Sequence, residues 1–144
     1  MKIIIREPST PEELENYHFL RWQLLRQPWQ QPRGSELDEH ENSAKKVMAI
    51  YQAEIIGVGR LHQVSDRTWQ IRYMAVQEAY QGQNIGSMIL HKLEDLAQAE
   101  SAKKIILQAR QNAVPFYQKH GYQIYQAGET LFGKIPHFWL QKIL

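Results

Sequence analysis

The residues best placed to do chemistry are Gln81-Gly82-Gln83-Asn84-Ile85-Gly86-Ser87, between the apolar run Tyr73-Met74-Ala75-Val76 and a periodic segment from Met88 to Ala99. That order predicts a strand, a glycine-bearing turn and a helix. The first N–H groups of a helix have no intrahelical acceptor, and the helix dipole adds partial positive charge at that end. Such a turn binds anions, most often phosphate. Gly82 and Gly86 let a ligand approach the backbone closely, and Asn84 belongs to the few residue types that tolerate the left-handed region. A plain strand-to-helix connection is the other reading of the same heptapeptide. Two better-known phosphate loops are excluded. The Walker pattern needs a lysine that is absent here. The dinucleotide fingerprint needs three glycines and an acid on the next strand, whereas this loop has two and the strand candidate Lys104 to Gln108 ends without one.

The elements that must position this turn fit a single domain, since 144 residues suffice for one sizeable core and fall short of two ordinary ones. Formal net charge is +2 with 22% charged residues, too balanced for a nucleic-acid footprint. Cysteine is absent, which excludes disulfides, thiolate metal sites and a cysteine nucleophile. The six histidines show no His-x3-His or His-Glu-x2-His spacing, so no metal is expected. The Met1-Lys2-Ile3-Ile4-Ile5-Arg6 start is too short for a signal peptide, and no apolar run approaches the length of a membrane span. A soluble, cytoplasmic protein without a membrane partner is expected.

Taken in order, Lys2 to Arg6 reads as a short strand. Ser9-Thr10-Pro11-Glu12-Glu13 then starts a helix, with Thr10 as cap, Pro11 at the first position and Glu13 completing a capping box. The helix runs to about Leu25, and Leu14, Tyr17, Leu20 or Arg21, Leu24 and Leu25 share its inner face. From Gln27 to Glu41 the pattern fails at Pro28, Pro32 and Gly34, and the acids Glu36, Asp38, Glu39 and Glu41 follow no apolar period. Trp29 inside that long loop would be costly to expose without reason. Val47 to Tyr51, Ile55 to His62 and Thr68 to Val76 form three antiparallel strands. In the third, Trp69, Ile71, Tyr73 and Ala75 alternate with Gln70, Arg72, Met74 and Val76. The next helix presents Ile85, Met88, Ile89, Leu93, Leu96 and Ala97 as a core stripe. Asn112 caps a short helix with Pro115 in its first turn and Gly121 at its end, and Tyr122 to Gln126 and His137 to Ile143 close the chain as strands around a loop holding Gly128, Gly133 and Pro136. This is an α+β architecture, a mixed and mostly antiparallel sheet of about six or seven strands with helices on both faces.

With these stretches in place the sequence resembles the GNAT superfamily of N-acetyltransferases. Tyr73-Met74-Ala75-Val76 and Gln81-Gly82-Gln83-Asn84-Ile85-Gly86 resemble its acetyl-CoA motif, with Asn84 where the family usually has glycine. Asn112, Pro115-Phe116-Tyr117 and Lys119-His120-Gly121-Tyr122 resemble its second motif. Leu20-Arg21-Trp22, Leu25-Arg26-Gln27-Pro28, Gly34-Ser35-Glu36 and Gly57-Val58-Gly59-Arg60-Leu61 are similar to the acetyltransferase half of bacterial proteins that fuse this domain to a hotdog thioesterase.

The resemblance implies an acyltransferase that uses acetyl-CoA and a primary amine of a small molecule or peptide. It implies that amides from Gly82 to Ser87, including those of Gln83, Asn84, Ile85 and Gly86, cradle the pyrophosphate, with Gln81 opening the turn. Met74 and Val76 would pair with the pantetheine arm where the neighbouring strand diverges, an N–H near Met74 or Ala75 would stabilise the oxyanion, and Asn112 and Phe116 would flank the cofactor. Tyr117 matches the family's acid, a phenol near pKa ~10 that stays protonated at neutral pH. The usual strand base is replaced by Gln70 and Arg72. His137 is the preferred substitute, with His62 and a water relay as alternatives. Arg21, Arg26, Arg72 and Trp29 are expected to border the acceptor pocket, where basic groups favour a carboxylate, or else to be solvated or paired with Glu36 and Asp38. A module that binds acyl-CoA without turnover is the competing function. A homodimer stays open.

Overall fold

The computed structural model describes residues Met1–Leu144. Seven strands form one sheet in the order β1-β2-β3-β4-β5-β7-β6. They are β1 (Ile4–Arg6), β2 (Lys45–Tyr51), β3 (Glu54–Gln63), β4 (Thr68–Val76), β5 (Lys104–Arg110), β6 (Gln123–Leu131) and β7 (Ile135–Ile143), with helices α1 (Pro11–Leu25), α2 (Ile85–Ala99) and α3 (Val114–Lys119). All neighbouring strands are antiparallel except β4 and β5. The mixed α+β sheet expected from the sequence is the fold observed.

The two faces of the sheet are held differently. On one, α2 buries Ile85, Ile89, Leu90, Leu93 and Ala97 in a cluster of 19 buried residues that includes Val47, Ile56, Leu61, Trp69, Ile71, Ile105, Leu107 and Leu140. Gly57 and Gly59 of β3 let α2 come this close, because a Cβ on either would lie 2.8 or 2.7 Å from the Ile89 side chain. On the other face α1 contributes only Tyr17 and Leu20 to a cluster of five that Met48, Ile50 and Val58 complete. Tyr17 reaches across to donate to the Gly59 carbonyl at 2.6 Å.

Local signals explain most boundaries and miss some details. Thr10 caps α1 by accepting from the Glu13 N–H at 3.0 Å. Glu13 does not return the bond to Thr10 as a capping box requires, and instead takes the Ser9 N–H at 2.8 Å and the Arg6 guanidinium. Asn112, expected to cap α3, does not. It stands in a 3-10 turn that runs straight into the helix, and the Val114 N–H is taken by the Gln111 carbonyl, so no side-chain cap is called for. Gly128 and Pro136, expected in a loop, belong to β6 and β7. A register shift between Ala127 and Thr130 absorbs the glycine, and Pro136 pairs with Thr130 near the start of its strand.

The alternation predicted for β4 holds at Trp69 and Ile71 and then reverses. Arg60 pairs with Arg72 and Val58 with Ala75, leaving Tyr73 and Met74 opposite Gly59 alone. Tyr73 occupies the left-handed region at φ 60°. This bulge turns the Tyr73 ring to the α1 face and hands Met74 to the α2 face.

Candidate active site

The sheet opens where β4 and β5 part. Their pairing runs from Thr68 with Lys104 to Ile71 with Leu107 and goes no further. Beyond Ile71 the β5-facing edge of β4 has no strand partner, and Met74, Ala75 and Val76 line a cleft of about 910 Å³, whose walls include Gln81, Gly82, Asn84, Ile85, Gly86, Ser87, Asn112, Phe116 and Tyr117.

The turn at its far end is built as the sequence suggested. Gly82 has φ 77° and Asn84 φ 68°, two left-handed residues that swing the chain into α2. The Gln81 side-chain Nε2 donates to the Val76 carbonyl at 3.1 Å and so ties the turn to the end of β4. The first backbone bond of α2 is Met88 N–H to Asn84 O at 3.1 Å, and the N–H groups from Gly82 to Ser87 donate to no protein atom. A row of free amides at a helix start can hold an anion without any side chain. Gly86 keeps the helix close to Phe116, whose ring would lie 3.4 Å from a Cβ there. Ser87 Oγ lies 2.8 Å from His120 Nε2.

A second cavity of about 240 Å³ lies beyond, lined by Arg26, Trp29, Gln70, Arg72, Tyr73, Arg110, Glu129, Phe132 and His137 among others. The two cavities share Leu25, Met74, Arg110, Ala113 and Tyr117. Trp29, in a 3-10 turn after α1, stacks on Phe132 of the β6–β7 turn at 5.7 Å, and the pair closes one side. Tyr117 is 7% exposed, and burial pushes its phenol well above the ordinary value, so its proton stays in place at neutral pH. Nδ1 of His137 lies 2.9 Å from the Ile135 carbonyl. Since a carbonyl only accepts, Nδ1 carries the hydrogen, and neutral His137 has its Nε2 lone pair free.

His62 cannot serve the same way. Its Nδ1 receives the Arg60 guanidinium at 2.9 Å, so its second nitrogen holds the hydrogen and no lone pair remains. Burial, then Arg60 and the stacked His40, push it down to about 4.

The arginines divide. Arg26 and Arg72 line the pocket, whereas Arg21, expected there, is fully enclosed. It donates to the Glu36 carbonyl at 3.0 Å and to Glu41 Oε1 at 2.6 Å. The buried Arg60 grips Asp38 through two bonds, at 2.6 and 2.9 Å, and Glu41 at 2.7 Å, and Arg72 reaches Asp38 at 3.1 Å. The Tyr73 ring sits among Arg21, Arg72, Arg60 and Arg26, with guanidinium carbons at 4.4, 4.6, 4.8 and 5.6 Å from its centroid. Burial pushes Glu41 up, but His18, Arg21 and Arg60 outweigh it and hold it at about 2. Asp38 is likewise raised by burial and brought far below the carboxylate range by Arg60 and the His40 N–H.

Sequence reasoning missed Arg60 in this network, and Glu129 and Arg110 at the pocket. Arg60 had left a signal: an arginine in the strand Ile55 to His62 needs buried acids, and the loop acids without an apolar period supply them.

A model of the acetyltransferase (GNAT) family matches residues 12–122. The chain is 29% identical over 142 residues to an uncharacterized N-acetyltransferase, YjcF, of Bacillus subtilis (strain 168), covering 99% of both chains. Its fold is that of a putative N-acetyltransferase from Lactobacillus plantarum, at TM-score 0.85 and 18% identity over 100% of this chain and 99% of that one. It is also that of a GNAT family acetyltransferase from Elizabethkingia anophelis with acetyl-CoA bound, at TM-score 0.78 and 22% identity over 99% and 98%. No helix is long and apolar enough to cross a membrane.

Proposed function

This chain belongs to the acetyltransferase (GNAT) family, and from that premise we propose that it moves the acetyl group of acetyl-CoA to a primary amine of a small molecule or peptide by direct attack in a ternary complex. The observation that carries the reading is the junction: a long cleft ending in free amides meets a small polar pocket at Met74 and Tyr117. The cleft suits a coenzyme with an anionic end and an extended arm.

Acetyl-CoA supplies a thioester whose carbonyl carbon the amine attacks and whose thiolate departs. The amides from Gly82 to Ser87 hold the pyrophosphate, with Gln81 bracing the turn, and edge groups of Met74 and Val76 pair with the amide arm as an added strand. Asn112 and Phe116 flank it. At the bulge the N–H of Met74 or Ala75 donates to the carbonyl oxygen as it gains charge. His137 Nε2 takes the proton that the amine loses, and the Tyr117 hydroxyl gives its proton to the sulfur as the C–S bond breaks. We assign residues 1–144 to a single such domain. The likeness of its N-terminal half to the acetyltransferase half of GNAT–hotdog thioesterase proteins rests on segments that contain the buried Arg21 and Arg60.

The test is acetyl-CoA binding by calorimetry, with CoA release followed against a panel of amines. Binding with release that falls about 100- to 1,000-fold in Tyr117→Phe is expected for loss of a general acid. Binding with no release from any amine would assign a non-catalytic acyl-CoA module, and no binding would overturn the reading of the turn.

A further inference from the structure

The second cavity has a charge imbalance that transfer chemistry leaves unused. Three arginines line it against one acid, Glu129. Arg72 is paired with Asp38 at 3.1 Å, while Arg26 and Arg110 form no ion pair. Glu129 forms no ion pair with any of the three, and among them Arg26 is the one whose guanidinium is anchored by backbone carbonyls. That guanidinium is half-buried at the end of α1, with its carbon 5.6 Å from the Tyr73 ring centroid and 5.9 Å from that of Phe132. Its Nε donates to the Ser35 carbonyl at 3.1 Å and its Nη1 to the Leu25 carbonyl at 3.2 Å. These two bonds fix the plane of the group and leave the Nη2 hydrogens and the second Nη1 hydrogen uncommitted. Burial disfavours its charge, the Tyr73 hydroxyl offsets part of that cost, and no protein carboxylate does.

Resting on the N-acetyltransferase reading, we propose that the acceptor is an amino acid whose carboxylate docks on the free end of the Arg26 guanidinium while its amine reaches His137 and Tyr117. A planar carboxylate matches the fork that Nη1 and Nη2 present. The cavity of about 240 Å³ suits a small acceptor.

The experiment compares kcat/KM for CoA release with glycine, alanine, leucine, phenylalanine, lysine and aspartate, each beside its carboxamide, and with O-phosphoethanolamine. The best amino acid is expected to exceed its carboxamide about 10- to 100-fold, the worth of a charge-assisted pair, mainly through KM. In Arg26→Gln that ratio falls to about one, and Arg26→Lys, which keeps the charge without the fork, recovers part of it. Equal use of acids and carboxamides by the natural protein overturns the inference and leaves the acetyltransferase reading standing. So does an acid-to-carboxamide ratio that survives Arg26→Gln, or a preference for O-phosphoethanolamine. Absence of CoA release from every amine overturns the acetyltransferase reading and the inference with it.

Discussion

The two faces of the sheet solve one problem, anchoring a helix, by opposite means. Under α2, side chains such as Ile89, Leu90 and Leu93 are fully enclosed by other apolar groups, and shape alone holds them. Under α1, the enclosed side chains include Arg21 and Arg60, and the chain from Gln27 to Glu41 is held down because Asp38, Glu41 and the Glu36 carbonyl answer those charges. The α2 face depends chiefly on fit, with one buried charge, Glu94, answered by the Tyr122 hydroxyl at 2.8 Å and Lys142 at 3.0 Å. The charged face demands specific partners, since a buried charge that loses its partner keeps its whole desolvation penalty. The chemistry straddles both: the amide-lined turn leads into α2, whereas Arg26, Arg72 and Tyr73 belong to the α1 side. In the proposed reaction the donor end thus sits on a mainly shape-held scaffold and the acceptor end on a charge-held one.

Removing one partner should sharpen the contrast most. Arg60→Ala is expected to destabilise the fold by about 3–5 kcal/mol, because Asp38 and Glu41 lose their shared buried cation and keep only Arg72 and Arg21, and to loosen the loop that carries Asp38. Guanidinium denaturation read by tryptophan fluorescence checks it, and a loss under ~1 kcal/mol would mean that water replaces the ion pairs. Leu93→Ala on the other face should cost about 3 kcal/mol from lost contact and a cavity, with a loss that is the same at pH 7 and pH 5. The faces should also differ in acid. His62 is held at about 4, whereas the unfolded chain takes up that proton near 6.5. Unfolding therefore binds a proton between those values, and stability should fall as pH drops through that window, by up to about 3 kcal/mol. Glu41 adds its own loss as pH falls from about 4.5 toward about 2, because its carboxylate form is favoured in the folded state. Urea melts at pH 7, 5.5 and 4.5 with His62→Gln beside the natural protein test this, and identical pH slopes for the two would remove His62 from the account. The smallest effect belongs to the turn. Asn84→Gly relieves a left-handed asparagine at φ 68° and should stabilise by about 0.5–1 kcal/mol, with tighter acetyl-CoA binding in the same sample.

What the sequence determined by itself were the features that repeat or punctuate locally. The α2 stripe, the α1 start at Thr10 and Pro11, the ends of β4 at Thr68 and Val76 and the helix stop at Gly121 follow from period, cap and turn chemistry, which act over a few residues. The strand-turn-helix at Gln81 to Ser87 was legible for the same reason, as were the strands on either side of the cleft. Only the tertiary structure decided where long-range partners stand. No pattern within β4 announces that it bulges at Tyr73, because the bulge depends on Gly59 across the ladder. Asn112 had the composition of a cap, and a backbone bond from Val114 removed the need for one. Arg21 fell on the inner face of its helix, yet whether it reached a pocket or an acid was set by Glu41, twenty residues on. Pairing of charges across such separations has no period. It depends on which loop the folded sheet brings over which strand, and that decided which arginines anchor this fold and which remain free beside His137 and Tyr117.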